Sequence, residues 1–411
     1  MSSGERPTTP RAAPDPGLSD RLRFWSLVSM LLLVYVHAFN LHPRYLAPMT
    51  LVEESASPAT VMQYLLANGL LRFRIPLLFA ISGCLFALRD EAGVSHWGRV
   101  RRRLRTLGVP YLAWSAIALA ITWGFEQWPV TRGWVASAAL SPFGPERAFV
   151  SDYTWREVLQ RWIGIPAAFQ LWFLLALLAL NLLYPWISRG VTRWPRALFG
   201  VFGLLWIVGL ELPVVTTAGL LFFTLGVWLA RSGRDVSAPP AWFRTPEMLA
   251  LWLSLAAVHT TLAFAVEQMS GPRAMGMLLL YRGIETSGLL VAWFGGRVLA
   301  ERAMARPWFA WLTGSSFVIY ALHVPLVNYV TEGALARVGT GPGASLAVYL
   351  LVPIGVIAMA VMVGTVLRGV VPGVYGVLTG GRGVPARVRA PLPAATIVEH
   401  PAIAAGGRTM L

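Results

Sequence analysis

Residues 197–230 read ALFGVFGLLWIVGLELPVVTTAGLLFFTLGVWLA, 34 residues with Glu211 as the one charge. Wound as a single α-helix this stretch would measure about 51 Å, against roughly 30 Å of hydrocarbon in a bilayer. Near its middle stands Glu211-Leu212-Pro213, a polar residue beside a helix breaker. The stretch is therefore read as two membrane helices joined by a tight hairpin. With that reading, apolar runs long enough to span fall at 24–41, 70–88, 107–125, 168–187, 197–212, 214–230, 248–266, 276–296, 308–329 and 345–367. There are ten.

Arginine placement tests the count. All 34 basic residues are Arg, and with the N-terminus inside, 24 fall in cytoplasmic segments. Seven lie outside (Arg44, Arg132, Arg147, Arg156, Arg161, Arg273, Arg337), and Arg72, Arg74 and Arg282 lie at or within the membrane. This is the positive-inside pattern, and losing one span would send later clusters to the wrong side. The +15 charge thus has a topological explanation and needs no nucleic-acid partner. A charged fraction of 13%, against about 25% in soluble domains, argues against a soluble enzyme. The fold class is an all-α polytopic membrane protein of about ten transmembrane helices, with both termini cytoplasmic. Residues 1–20 read as a disordered cytoplasmic tail, 21–369 as the membrane domain, and 370–411, rich in Gly, Pro and Ala, as a second disordered tail. No cleavage-site pattern follows the first apolar run, which reads as a signal anchor in a bacterial plasma membrane. Cys84 stands alone, so neither an internal disulfide nor a cysteine metal site is expected, and no metal is assigned.

Ionisable groups inside a bilayer are costly and mark function by default. His37 lies 14 residues beyond Arg23, about 21 Å along the first helix on nearly the same face, and Ser26 shares that face. A neutral imidazole can take a proton from a hydroxyl; it can equally serve as a packing hydrogen-bond group. Arg72 and Arg74 open the second span, where they could bind an anion or snorkel to lipid phosphate. Ser82-Gly83 permits close helix contact, and Cys84 has no activating neighbour in sequence. Arg99, Arg101, Arg102, Arg103 and Arg105 precede Pro110-Tyr111 and could grip a donor's phosphates, although a topology signal alone would explain them. Arg282 and Glu285, three apart, read as a structural ion pair, and His259 as a packing histidine. In the ninth span Ser316, Tyr320 and His323 cluster on nearby turns. The long outer loop 126–167, with Trp134, Trp155 and Trp162, reads as an interfacial segment or a substrate mouth.

His37, Ile75-Pro76-Leu77-Leu78-Phe79-Ala80-Ile81-Ser82-Gly83, Arg101 to Arg105 before Pro110-Tyr111, Leu171-Trp172-Phe173-Leu174, and Ser316 through His323 occur in this order. Together, across about 20–370, they resemble the membrane-bound acyltransferase 3 family, which includes polysaccharide O-acetyltransferases and glucan-succinylating membrane proteins. The resemblance implies transfer of an acyl group, acetyl foremost, from cytoplasmic acyl-CoA as co-substrate to a hydroxyl of a carbohydrate or similar acceptor, with no bound cofactor. It implies His37 as the base and Arg101, Arg102, Arg103 and Arg105 at the donor phosphates; His323 is the second catalytic candidate, and the sequence leaves open whether it meets His37. Arg23, Ser26, Arg72, Arg74, Ser82 and Tyr320 would support the site. Many members carry a basic residue 11 positions before the histidine; here that position is Ser26, and Arg23 is the candidate substitute. The competing readings are a transporter or flippase of a polar or lipid-linked solute, and a structural membrane protein. Paired broken helices in repeated halves would favour transport. Pro76, Pro185 and Pro213 show no such symmetry.

Overall fold

The computed structural model describes residues 16–47, 49–88, 95–212, 214–233, 235–265 and 270–383, and every regular element among them is helical. Arg89, Pro213 and Arg234, and the arginines within 1–15 and 384–411, lie outside the described residues. Ten long helices succeed one another: α1 (Pro16–His37), α2 (Pro58–Leu88), α3 (His96–Glu126), α4 (Phe169–Arg193), α5 (Pro195–Ile207), α6 (Thr217–Arg231), α7 (Thr245–Ala265), α8 (Gly271–Gly295), α9 (Pro307–Val338) and α10 (Pro342–Val370). Seven of them, α2–α4 and α7–α10, are long and apolar enough to cross a membrane. The helix α1 carries Asp20, Arg21 and Arg23 in its early turns, and α5 and α6 have 13 and 15 residues.

The break in 197–230 falls between Ile207 and Thr217. Gly209 adopts φ +74°, its N–H bonds to Trp206 O, and Leu210 N–H bonds to Leu205 O. That pair closes α5 with a left-handed cap that glycine accommodates without strain. The next helix opens on Thr216, whose hydroxyl accepts from Gly219 N–H at 3.0 Å. The first helix ends at His37, short of the expected 41, and starts at Pro16 inside the expected tail.

Burial separates central helices from peripheral ones. The spanning parts of α2 and α9 are each 67% buried, that of α7 only 22%. Lipid is as apolar as a leucine side chain, so helices in a bilayer associate through close packing. The tightest packing is α2 against α6. A Cβ at Gly226 would collide with the Ala80 carbonyl and the Cys84 backbone nitrogen, and one at Gly83 with the Phe223 carbonyl. The two backbones touch, and Cys84 is buried at this crossing.

Two departures from expectation bear on function. The segment 126–167 is not a simple outer loop. Its helix Trp155–Ile163 runs beside the first turns of the apolar part of α3. There Tyr111 Oη donates to Ile163 O (2.7 Å), Ser115 Oγ to Trp162 O (2.6 Å), and Trp162 Nε1 to Leu112 O (2.9 Å). Arg161, assigned outside by the arginine tally, is buried and donates to Leu140 O and Ile165 O. Irregular backbone at membrane depth must have its polar groups satisfied, and these side chains do it. Secondly, the expected tail 370–411 contains a helix, Pro372–Thr379. Trp114 Nε1 donates to Leu378 O (2.9 Å), and Tyr375 Oη to Gly314 O (3.0 Å), docking it on α3 and α9. Glycine-rich composition suggested disorder, but the glycines serve close approach.

The orientation implied by the arginines makes Asp235 cytoplasmic and Glu146 external. Both are exposed. In a Cys84→Ser background, Asp235→Cys should react with an impermeant maleimide only after the membrane is opened, and Glu146→Cys in intact cells. Labelling of both from one side would refute the ten-helix topology.

Candidate active site

The ninth helix is broken where its histidine lies. Val324 has non-helical angles (φ −103°, ψ 133°), and Pro325 offers no N–H to the ladder. The carbonyls of Tyr320 and Ala321 are instead met by Gln170 Nε2, each at 3.2 Å. Tyr320 Oη donates back to Gln170 O at 2.8 Å. This reciprocal clamp fixes the start of α4 against the break. His323 is fully buried beside it, with Nδ1 3.0 Å from Ile319 O. With Nδ1 donating to that carbonyl, Nε2 is an acceptor, and it has no hydrogen-bond partner among the described residues.

The His37 ring sits 5.3 Å from the His323 ring, with a 37° angle between planes, and Phe169 packs edge-on against it at 4.8 Å. Asn328 Nδ2 donates to His37 O (3.2 Å), capping the last turn of α1 from α9. Just beyond, Asn40 bonds to Ser345 O (3.0 Å), and Gln63 Nε2 to Ser345 Oγ (3.1 Å). The end of α1 is thus tied to α2, α9 and α10.

His37 lines a cavity of about 200 Å³ with Arg72, Arg74, Gln170, Trp172 and Tyr320. Both arginines come from the break within α2, where π-helical turns over Leu65–Leu70 give way to a fresh helix at Arg74. Pro76 is tolerated because it falls in that helix's first turn. Arg72 donates to Asn68 Oδ1 and Leu46 O, and Arg74 to Leu71 O. No ion pair joins either one to a carboxylate among the described residues, and each has a buried Nε without a partner. The helix N-terminus adds partial positive charge to the same wall. An anionic or strongly polar group fits here.

A second cavity, about 250 Å³, opens on the side of Arg103. Ser26, Ser82 and Ser316 face it, and it shares Leu78, Phe173 and Tyr320 with the first cavity. These three side chains separate the two spaces.

The expected residues divide accordingly. His37, Arg72, Arg74 and Tyr320 line one cavity, Ser26, Ser82, Tyr320 and Arg103 the other, and His323 adjoins His37. Arg101, Arg102 and Arg105 are exposed and line neither, because the chain between 96 and 108 turns only one face inward. Arg23 also lines neither cavity. It is exposed, 3.8 Å from Asp20. Arg282 and Glu285 form the expected buried pair at 3.0 Å, and His259 stacks on Tyr64 and lies tilted against Tyr281. Gln170 and Asn328 were overlooked in sequence, although each is an uncharged amide inside an apolar run, where hydrogen-bonding partners must exist.

A family model described as an acyltransferase domain matches residues 23–367. The succinoglycan biosynthesis protein ExoH of Rhizobium meliloti (strain 1021) is 24% identical over 324 residues, covering 78% of this chain and 82% of that protein. No solved structure matches the chain. The matched region takes in every lining residue of the two cavities except Arg382, and all ten helices but the first turns of α1 and the last of α10, and on that extent the chain belongs to the acyltransferase 3 family.

Proposed function

We propose that this membrane acyltransferase moves a short acyl group, acetyl in the first instance, from cytoplasmic acyl-CoA to a hydroxyl of a carbohydrate presented from the opposite face, with His37 as general base. One observation carries the reading: two cavities meet at Leu78, Phe173 and Tyr320, one reaching Arg103, the other holding His37 with two guanidiniums. The name of the matched relative, a succinoglycan biosynthesis protein, supports a polysaccharide acceptor.

The donor's arm enters from the Arg103 side and brings the thioester carbonyl to the junction. The acceptor hydroxyl meets His37 from the other side. As its oxygen attacks the carbonyl carbon, its proton passes to the imidazole. Arg74, with Arg72 behind it, stabilises the charge on the carbonyl oxygen. The C–S bond then breaks, the new ester C–O bond remains, and the imidazolium returns its proton to the thiolate. Free CoA leaves by the side it entered. His323, buried beside His37, keeps the ring in place. A terminal carboxylate on the acyl group would also suit Arg72 and Arg74, so succinyl-CoA is the competitor donor to test against acetyl-CoA.

The test is acyl-CoA-dependent acylation of an extracellular polysaccharide or its lipid-linked precursor by the protein in liposomes. Absence of transfer from any acyl-CoA would defeat the proposal. Because Arg103 alone of its cluster lines the cavity, Arg103→Gln should raise the apparent KM for donor by about 10-fold. The double variant Arg101→Gln, Arg102→Gln should change it by less than ~2-fold, as expected of exposed charges. Equal effects would dissolve the distinction between them.

A further inference from the structure

We infer that Arg382, from the segment following the last spanning helix, is a second donor-binding residue that works with Arg103 on the phosphates of the acyl-CoA. The inference rests on the acyl-CoA reading above. It adds a residue outside 23–367, the stretch matched by the family model.

Arg382 and Arg103 line the same cavity, whose other described lining residues are apolar or carry hydroxyl and amide groups. Two guanidiniums therefore face one space. From α1, Ser26 and Met30 line this cavity. At about 250 Å³ the cavity is below the ~300 Å³ at which pockets accept drug-sized molecules. A slender pantetheine arm suits the interior, leaving a bulky, multiply charged nucleotide at the arginine-bearing end. Guanidinium is the side chain best matched to phosphate oxygens.

Arg382 is held in place by more than its own helix. Its Nη1 donates to Thr379 O (2.9 Å) and Thr106 O (3.1 Å), and its guanidinium lies 4.9 Å from the centre of the Phe317 ring. The turn that carries it is moulded to the bundle. Gly380 (φ +60°) touches the Thr106 backbone, and Gly383 (φ +70°) touches Gly314 and Tyr375, so that a Cβ at either would collide. Thr106 follows Arg103 within the same turns, so one hydrogen bond couples the two arginine-bearing segments. Preorganisation of this kind lowers the entropic cost of holding a ligand.

The experiment is titration of CoA into the full-length purified protein in nanodiscs, with pantetheine as the phosphate-free probe and salt concentration as a second variable. Arg382→Gln should weaken CoA binding by about 10-fold or more, leave pantetheine unchanged, and flatten the salt dependence of CoA affinity. Arg382→Lys, retaining charge, should recover part of the loss. Unchanged CoA affinity in Arg382→Gln overturns the assignment. Equal weakening of CoA and pantetheine overturns it also, since that marks a structural role. A wild-type protein that binds no CoA would sink the acyl-CoA reading together with this one, and is distinct from wild-type binding that the substitution leaves intact.

Discussion

His37→Gln protein, folded and reconstituted in liposomes, should transfer acyl groups ~10²–10⁴-fold more slowly than the parent. Glutamine can replace a hydrogen bond made by the ring, and the main-chain carbonyl of residue 37 would still accept from Asn328. What the amide cannot do at neutral pH is take a proton. CoA affinity should be retained, because Arg103 and Arg382 face the other cavity. Acyl transfer measured beside CoA binding separates these outcomes. Near-normal turnover would leave the family and fold untouched and remove the base from the mechanism, with His323 next in line. His323→Gln should cost less than His37→Gln if its part is to position the ring.

Gly226→Leu should prevent the protein from reaching a stable fold. The added carbons would have to occupy the space of the Ala80 carbonyl and the Cys84 nitrogen, which are backbone atoms with no rotamer to escape into. Overpacking a well-packed core costs about 1–3 kcal/mol when neighbours can adjust. Here the α2–α6 crossing itself must separate, so the loss should exceed that range. Gly343→Leu, at a glycine with no atom within 4 Å of the added carbon, is the control. Size-exclusion profiles and thermal midpoints in detergent give the comparison, and equal behaviour of the two variants would show that the crossing is not tight.

The sequence and the structure agree where a rule of the bilayer acts on a whole segment. Hydrophobic length and arginine bias marked the helices well, and the break in 197–230 followed from Glu211 and a helix too long for one crossing. Residues whose placement depends on distant partners were harder to read. Arg161 looked like an external charge because a linear tally assigns depth by span number, whereas its segment folds back along α3 and buries it. Arg101 and Arg103 are two apart in one cluster, and only rotation about the chain axis distinguishes the exposed one from the one in the cavity. The proximity of His37 to His323 joins residues 286 positions apart, which no local pattern encodes. Arg382 was hidden by composition, since glycines that suggest disorder also permit backbone contact.

The arrangement of two cavities around Leu78, Phe173 and Tyr320 has a kinetic corollary. Cys84, the thiol best suited to store an acyl group, lies at the α2–α6 crossing and is not among the described residues that line either space. Under direct transfer through His37, donor and acceptor are expected to be present at once. Initial-rate plots should give intersecting lines rather than the parallel lines of a ping-pong enzyme. Free CoA should compete with the donor and leave acceptor saturation unable to relieve its inhibition. The barrier between the compartments would be crossed by a few acyl atoms, while the nucleotide and the glycan each stay on the side where they were made available.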